Sequence, residues 1–228
     1  IPVERFDEDI FVYGIGFDGS NYGYAPVEKS DMVFIPDPDT AVVDPFAEVP
    51  TLTMCGDVCV IGEENKPFDQ YPRNVSLRAM EYMKELGVAD EMLIGPEFEF
   101  HLLDHVRYEV TPQRSGYAVD TRQAAWNSGK ESPDNGGFQV KGHGGYHIGA
   151  PHDVAYSLRS KMCILLEDWG VDVKYHHHEV GGSGQMEIEV ELGDMVDMAD
   201  KTMIIKYVIK NAAVQDGRTA TFMPKPIY

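Results

Sequence analysis

One alternation constrains this chain more than any other feature: Met186-Glu187-Ile188-Glu189-Val190-Glu191-Leu192 runs without a break. A period of two puts Met, Ile, Val and Leu on one face and three glutamates on the other, the pattern of a strand. Taken alone, it describes a half-buried strand with a solvated acidic face. A second acidic segment argues for more. In Gly95-Pro96-Glu97-Phe98-Glu99-Phe100, Glu97 and Glu99 project to the same side. Glu179 and Glu187 flank a Gly-rich stretch that leads into the first strand. If the two strands face each other, Glu97, Glu99, Glu179 and Glu187 converge in one cavity. Two like charges about 4 Å apart repel by roughly 4 kcal/mol at an effective dielectric near 20. Such a cluster must take up protons or cations. Oxygen-only ligands favour hard divalent ions, so the expectation is a Mg²⁺ or Mn²⁺ site.

Other patterns are weaker. In a strand, His176 and His178 share a face and His177 opposes them; the triplet reads as partly structural, with one ring bracing a carboxylate. His143, His147 and His152 carry no spacing signal. Gly14-Ile15-Gly16-Phe17-Asp18-Gly19 matches G-x-G-x-x-G, but Ser20-Asn21-Tyr22-Gly23-Tyr24-Ala25-Pro26 cannot open the helix that pyrophosphate binding needs. Cys55 and Cys59 have the spacing of half a zinc site without a second pair, and three cysteines are too few for a disulfide scaffold.

The net charge of −19 argues against nucleic acid or an anionic membrane as partner, and no apolar run is long enough to span a bilayer. An anionic substrate stays open, because bound cations invert local charge. The organisation reads as α+β. Strands are expected at Ile10–Tyr13, Asp31–Ile35 and Thr51–Met54, and a polar linker at residues 63–67. A helix capped by Asn74 runs to Gly87, followed by a strand over 92–103 and long loops over 105–145. Then come a helix from Asp153 to Trp169, strands over 171–180 and 185–192, a helix over 197–215 and a last strand at 219–223.

Several segments together resemble glutamine synthetase of the bacterial type. They are Gly95–Phe100, Lys141-Gly142-His143-Gly144-Gly145-Tyr146, His176–Val180 with Gly184–Glu187, and Ala220-Thr221-Phe222-Met223-Pro224-Lys225-Pro226. Phe17-Asp18-Gly19-Ser20 and Asp37–Pro45 are similar to the family's N-terminal domain. The resemblance covers essentially the whole chain. It implies a small β-grasp-like N-terminal domain over 1–67, then over 68–228 the first part of a catalytic domain with a curved antiparallel sheet and flanking helices. It also implies ATP-dependent ligation of ammonia to the γ-carboxylate of L-glutamate through γ-glutamyl phosphate, with two or more Mg²⁺ or Mn²⁺ ions per site. The implied setting is cytoplasmic: a dodecamer of stacked rings whose active sites are shared between subunits.

Roles follow from that likeness. Glu99, Glu179 and Glu187 correspond to ligands of the metal that positions glutamate, and Glu97 to a ligand of the metal on the nucleotide phosphates. Asp18 corresponds to the residue that enters the next subunit's site and deprotonates ammonium. Lys174, Val190, Glu191 and Leu192 align with the nucleotide side. Some positions depart from the family. Lys174 stands where many members carry a glutamate, Asn21 replaces a serine, and Glu191 replaces a basic or neutral residue. Beyond Tyr228 the family pattern continues with further ligands, so the sequence reads as a piece of a longer protein, inactive by itself. Two alternatives stay open: a γ-glutamyl ligase that uses a polyamine, and a non-catalytic ring-forming structural or regulatory relative.

Overall fold

Alternating apolar residues and Pro/Gly punctuation build the N-terminal region around short antiparallel strands. In the computed structural model, which describes residues 1–62 and 64–227, the chain divides into two compact units, Ile1–Leu93 with Asp194–Asp200 and Ile94–Gly193 with Lys201–Tyr228. In the first unit, Ile10–Tyr13 is one helical turn (α1) where a strand was expected. Four residues carry little propensity of their own, and Gly14, at φ 74, closes the turn by donating to the Ile10 carbonyl. Strands β1 (Ile15–Asp18), β2 (Asp31–Pro36), β5 (Gly56–Val60) and β6 (Lys66–Pro67) form an antiparallel sheet in that order. A small ladder joins β3 (Val42–Val43) to β4 (Leu52–Thr53). After β1 the chain makes one 3-10 turn, Gly19–Tyr22, and no α-helix opens there. Of the expected linker, Lys66–Pro67 forms β6, and Glu63 lies outside the described residues.

Helix α2 (Pro72–Glu85) starts earlier than the sequence suggested, with Pro72 in the first turn, where its missing N–H costs nothing. Asn74 is not its cap. Buried, it donates through Nδ2 to the carbonyls of Val58 and Phe68 at 2.9 and 3.0 Å, tying the helix to the sheet. The preceding residue, Arg73, reaches Asp37, Asp57 and Asp200 at 2.6, 2.7 and 3.0 Å.

The second unit positions the glutamates. The strand expected over 92–103 breaks at Gly95-Pro96 into β7 (Leu93–Ile94) and β8 (Glu97–Leu103). Proline cannot donate to a ladder, and a Cβ on Gly95 would meet Leu192 Cδ2 at 2.6 Å. A hairpin follows, β9 (His105–Val110) and β10 (Ser115–Asp120), where long loops were expected. Next come α3 (Tyr156–Asp168), β11 (Val173–His178), β12 (Gln185–Val190), β13 (Gly193–Asp194), α4 (Met195–Gln215) and β14 (Thr219–Thr221). The main sheet is antiparallel, in the order β11-β12-β8-β14. Phe98, Phe100 and Leu102 on β8 and Met186, Ile188 and Val190 on β12 are all buried, as are Leu158, Met162 and Leu166 of α3 and Ile205, Val208 and Ile209 of α4. Asp153 lies just before α3. It accepts from the Ala155 N–H and forms an ion pair with Arg159 that is 1% exposed on both sides. Among the described residues no helix is long and apolar enough to cross a membrane.

Candidate metal centre

Apolar burial on one face of the sheet fixes the register, and the register sets the acidic face. Ile188 pairs with Phe98 and Met186 with Phe100, so on the opposite face Glu187 stands beside Glu99 and Glu189 beside Glu97. The next strand continues both rows: His177 lies beside Glu187 and Tyr175 beside Glu189. Glu179 follows the end of β11 and folds back towards the first row. His177 bridges it, with Nδ1 3.4 Å from Glu179 Oε2 and Nε2 3.4 Å from Glu187 Oε2. Two trios of ligand atoms result, His177–Glu179–Glu187 and Glu97–Glu187–Glu189, each within 4.8 Å. Glu187 belongs to both.

The first trio is no solvated face. Glu179 and Glu187 are each 7% exposed, and Glu179 Oε2 is buried without a hydrogen-bond partner. Burial, with the adjacent carboxylates of Glu179, Glu97 and Glu99, pushes the Glu187 carboxyl up to about 7. A bare buried carboxylate oxygen is unfavourable unless a cation or proton satisfies it. Two carboxylates and an imidazole therefore fit a divalent cation, and His177 extends the donor set beyond oxygen. Glu189 differs: it is bonded by Lys174 Nζ at 2.5 Å and by Tyr175, which hold its carboxyl below the usual range.

The anticipated residues are partly gathered. Glu97, Glu179 and Glu187 fall within the two trios, while Glu99 faces Glu187 and accepts from Gln185 Nε2 at 2.6 Å. Lys174 is committed to Glu189. Val190 is buried, the exposed Glu191 donates its N–H to the Asp172 carbonyl, and Leu192 is 65% exposed. Asp18 belongs to the other unit, where it accepts from Ser20 N and Oγ at 2.9 and 2.6 Å; the Ser20 hydroxyl leads in holding its carboxyl low. None of the three cysteines joins a metal-competent group among the described residues.

Alternation separated the three histidines correctly. His177 faces the carboxylates. His176 contacts Arg159 and Ser160 on the opposite side, and His178 Nε2 lies 3.2 Å from Gln123 Oε1. The sequence reading missed Glu189 as a neighbour of Glu97, because alternation reveals a face but not a register. It also missed His147, whose ring stacks on His177 with centroids 4.3 Å apart and whose backbone sits at φ 54. Nothing in its sequence context marks that contact.

Residues 69–228 match the family model described as glutamine synthetase, catalytic domain, and residues 1–61 the one described as glutamine synthetase, beta-Grasp domain. The chain is 46% identical over its whole length to the glutamine synthetase of Pasteurella multocida, covering 48% of that protein. It is 44% identical to the 3-hydroxylaminophenol mutase of Cupriavidus pinatubonensis, again over the whole chain and 48% of the relative. Its fold is similar to that of Plasmodium falciparum glutamine synthetase solved by cryo-electron microscopy, with TM-score 0.83 and 27% identity over 99% of this chain and 44% of that one. The chain spans about half the length of the curated relatives it matches.

Proposed function

The chain belongs to the glutamine synthetase family, and we propose that the protein carrying it joins ammonia to the γ-carboxylate of L-glutamate using ATP. The observation that supports this most is the buried His177–Glu179–Glu187 trio with its unpartnered Glu179 oxygen. A bound divalent ion would supply positive charge to carboxylate and phosphoryl oxygens. Glu179, Glu187 and Glu99 would hold the ion that positions substrate glutamate, and Glu97 the one beside the nucleotide phosphates, with Val190, Glu191 and Leu192 on the nucleotide side. ATP transfers its γ-phosphoryl group to a glutamate carboxylate oxygen, giving γ-glutamyl phosphate. Ammonia attacks the carbonyl carbon and phosphate leaves. Asp18, acting in a neighbouring subunit's site, attracts ammonium and takes its proton. This reading places the protein in the cytoplasm, in rings of subunits, with a family domain boundary near residue 67.

The test uses the full-length protein with Glu187→Ala and Glu97→Ala. Both should lose Mn²⁺ binding and ATP-dependent glutamine formation; normal turnover in both refutes the assignment. Phosphate release with ammonium, compared with polyamines, separates the amine ligases. Because a relative of nearly equal identity is named a mutase, the assay includes 3-hydroxylaminophenol without ATP. Its isomerisation, with no glutamine formed, would replace ligation as the reading.

A further inference from the structure

Gln185 shares the face of β12 that carries Glu187 and Glu189, yet bears no charge. It is 5% exposed, and both ends of its amide are engaged. Oε1 accepts from the Gly181 N–H at 2.5 Å, and Nε2 donates to Glu99 Oε2 at 2.6 Å. The amide can face only one way round. A backbone N–H must donate to its oxygen, and an ionised carboxylate must accept from its nitrogen.

The turn between β11 and β12 is shaped around this side chain. Glu179 N donates to the Gln185 carbonyl at 2.9 Å, and Gln185 N to the Gly182 carbonyl at 3.2 Å. A Cβ on Gly181 would collide with Gln185 Oε1, so glycine there leaves room for the amide. Buried Ser183 anchors the turn from outside, its hydroxyl donating to the Val140 carbonyl at 2.9 Å. A turn fixed in this way fixes the amide, and the amide fixes Glu99.

Any buried amide needs partners. Gln185 takes as one of its partners a carboxylate that would otherwise move freely. Glu99 is exposed and stands opposite Glu187, a like charge that pushes it away. The short, charge-assisted bond from Gln185 holds it in place, occupies Oε2 and leaves Oε1 to face a cation.

We propose that Gln185 is a positioning residue, an amide latch that carries the geometry of the Gly181–Gly184 turn to Glu99 and so sets how Glu99 meets a divalent ion. This rests on the metal centre proposed above, and adds a residue to which the resemblance gives no role.

The experiment is a Mn²⁺ titration of the full-length protein, reading free Mn²⁺ by electron paramagnetic resonance. Gln185→Met keeps the length of the side chain without its polar atoms and should weaken binding by about tenfold. Glu99→Gln should also weaken it, and adding Gln185→Met to Glu99→Gln should cost nothing more, because the carboxylate being oriented is gone. A residue that merely stabilises the fold would shift melting in EDTA without this non-additivity. Gly181→Ala retains Gln185 but displaces its amide, and should reproduce the loss. Parent-like affinity in Gln185→Met, or losses that add, overturns the latch. Should Gln185→Met not fold, Gly181→Ala decides, and parent-like affinity there overturns the latch too. If Glu99→Gln alone binds normally while Glu187→Gln does not, the latch falls and the centre stands. If both bind normally, the centre itself falls.

Discussion

His101 shows how a single residue can work against its surroundings. It lies on β8 between Gln185 and Thr221, is 3% exposed, and its Nδ1 has no hydrogen-bond partner. Burial lowers its pKa to about 4. A buried nitrogen without a partner costs about 1–3 kcal/mol, so His101→Phe should raise the stability of the full-length protein by about that amount, less any strain from the bulkier ring. The pH dependence separates the two contributions. Because the folded value is depressed below the ordinary 6.5, the unfolded chain binds the extra proton between about 6.5 and 4. The histidine protein therefore loses stability as pH falls through that window, and the phenylalanine variant does not. The gain measured by thermal melting should be larger at pH 5 than at pH 7.5. An equal gain at both would show that protonation of His101 has no part in it.

At the scale of elements, the sheet register does what no single residue can, placing the five side chains of the two metal-competent trios on three neighbouring strands and the turn after one of them. The loop over residues 141–149 closes against this arrangement at Gly145. A Cβ there would meet the Glu179 carbonyl oxygen and the His178 ring, each at 2.6 Å. Neither is the loose end of a flexible chain, so Gly145→Ala must move the backbone that carries Glu179. The expected result is a stability loss of about 1–3 kcal/mol together with weaker divalent-cation binding in calorimetric titration. Gly149→Ala, with nothing within 4 Å of its Cβ, serves as the control and should change neither. A Gly145 variant that binds like the parent would detach this loop from the site.

The same elements mark what the sequence made legible. Buried Ile188 and Phe98 impose a period of two, so β12, β8 and the face of each glutamate could be read directly. The hairpin β9–β10 could not. Tyr108, Val110 and Tyr117 are 77, 79 and 63% exposed, so no buried face imposes a pattern there. Asn74 was read as a cap because its side chain suits one, but its amide is drawn to the carbonyls of Val58 and Phe68, partners that exist only once the sheet has formed. Glu189 and His147 join the site through register and loop closure, which are likewise tertiary facts.

For the whole molecule, the central consequence is a linkage between protons and cations on a chain of net charge −19. The folded pKa of Glu187, about 7, lies above the ordinary carboxylate value of 4.5. The stabilising effect of its bound proton is therefore complete below about 4.5 and is lost as pH rises through 7. A divalent ion needs the ionised form, so below pH 7 it must displace that proton, and affinity should fall by up to about tenfold per pH unit. Ligand binding stabilises by about 2.7 kcal/mol at a hundredfold excess over Kd. The difference in melting temperature with Mn²⁺ and with EDTA should thus be small at pH 5 and large at pH 8. His101 contributes equally to both conditions and cancels in that difference. Sodium chloride at matched ionic strength should screen the surface charge without reproducing the pH dependence, because screening needs no proton release from Glu187. A cation effect of constant size from pH 5 to 8 would mean that Glu187 gives up no proton on binding, and that the buried trio is not where the ion sits.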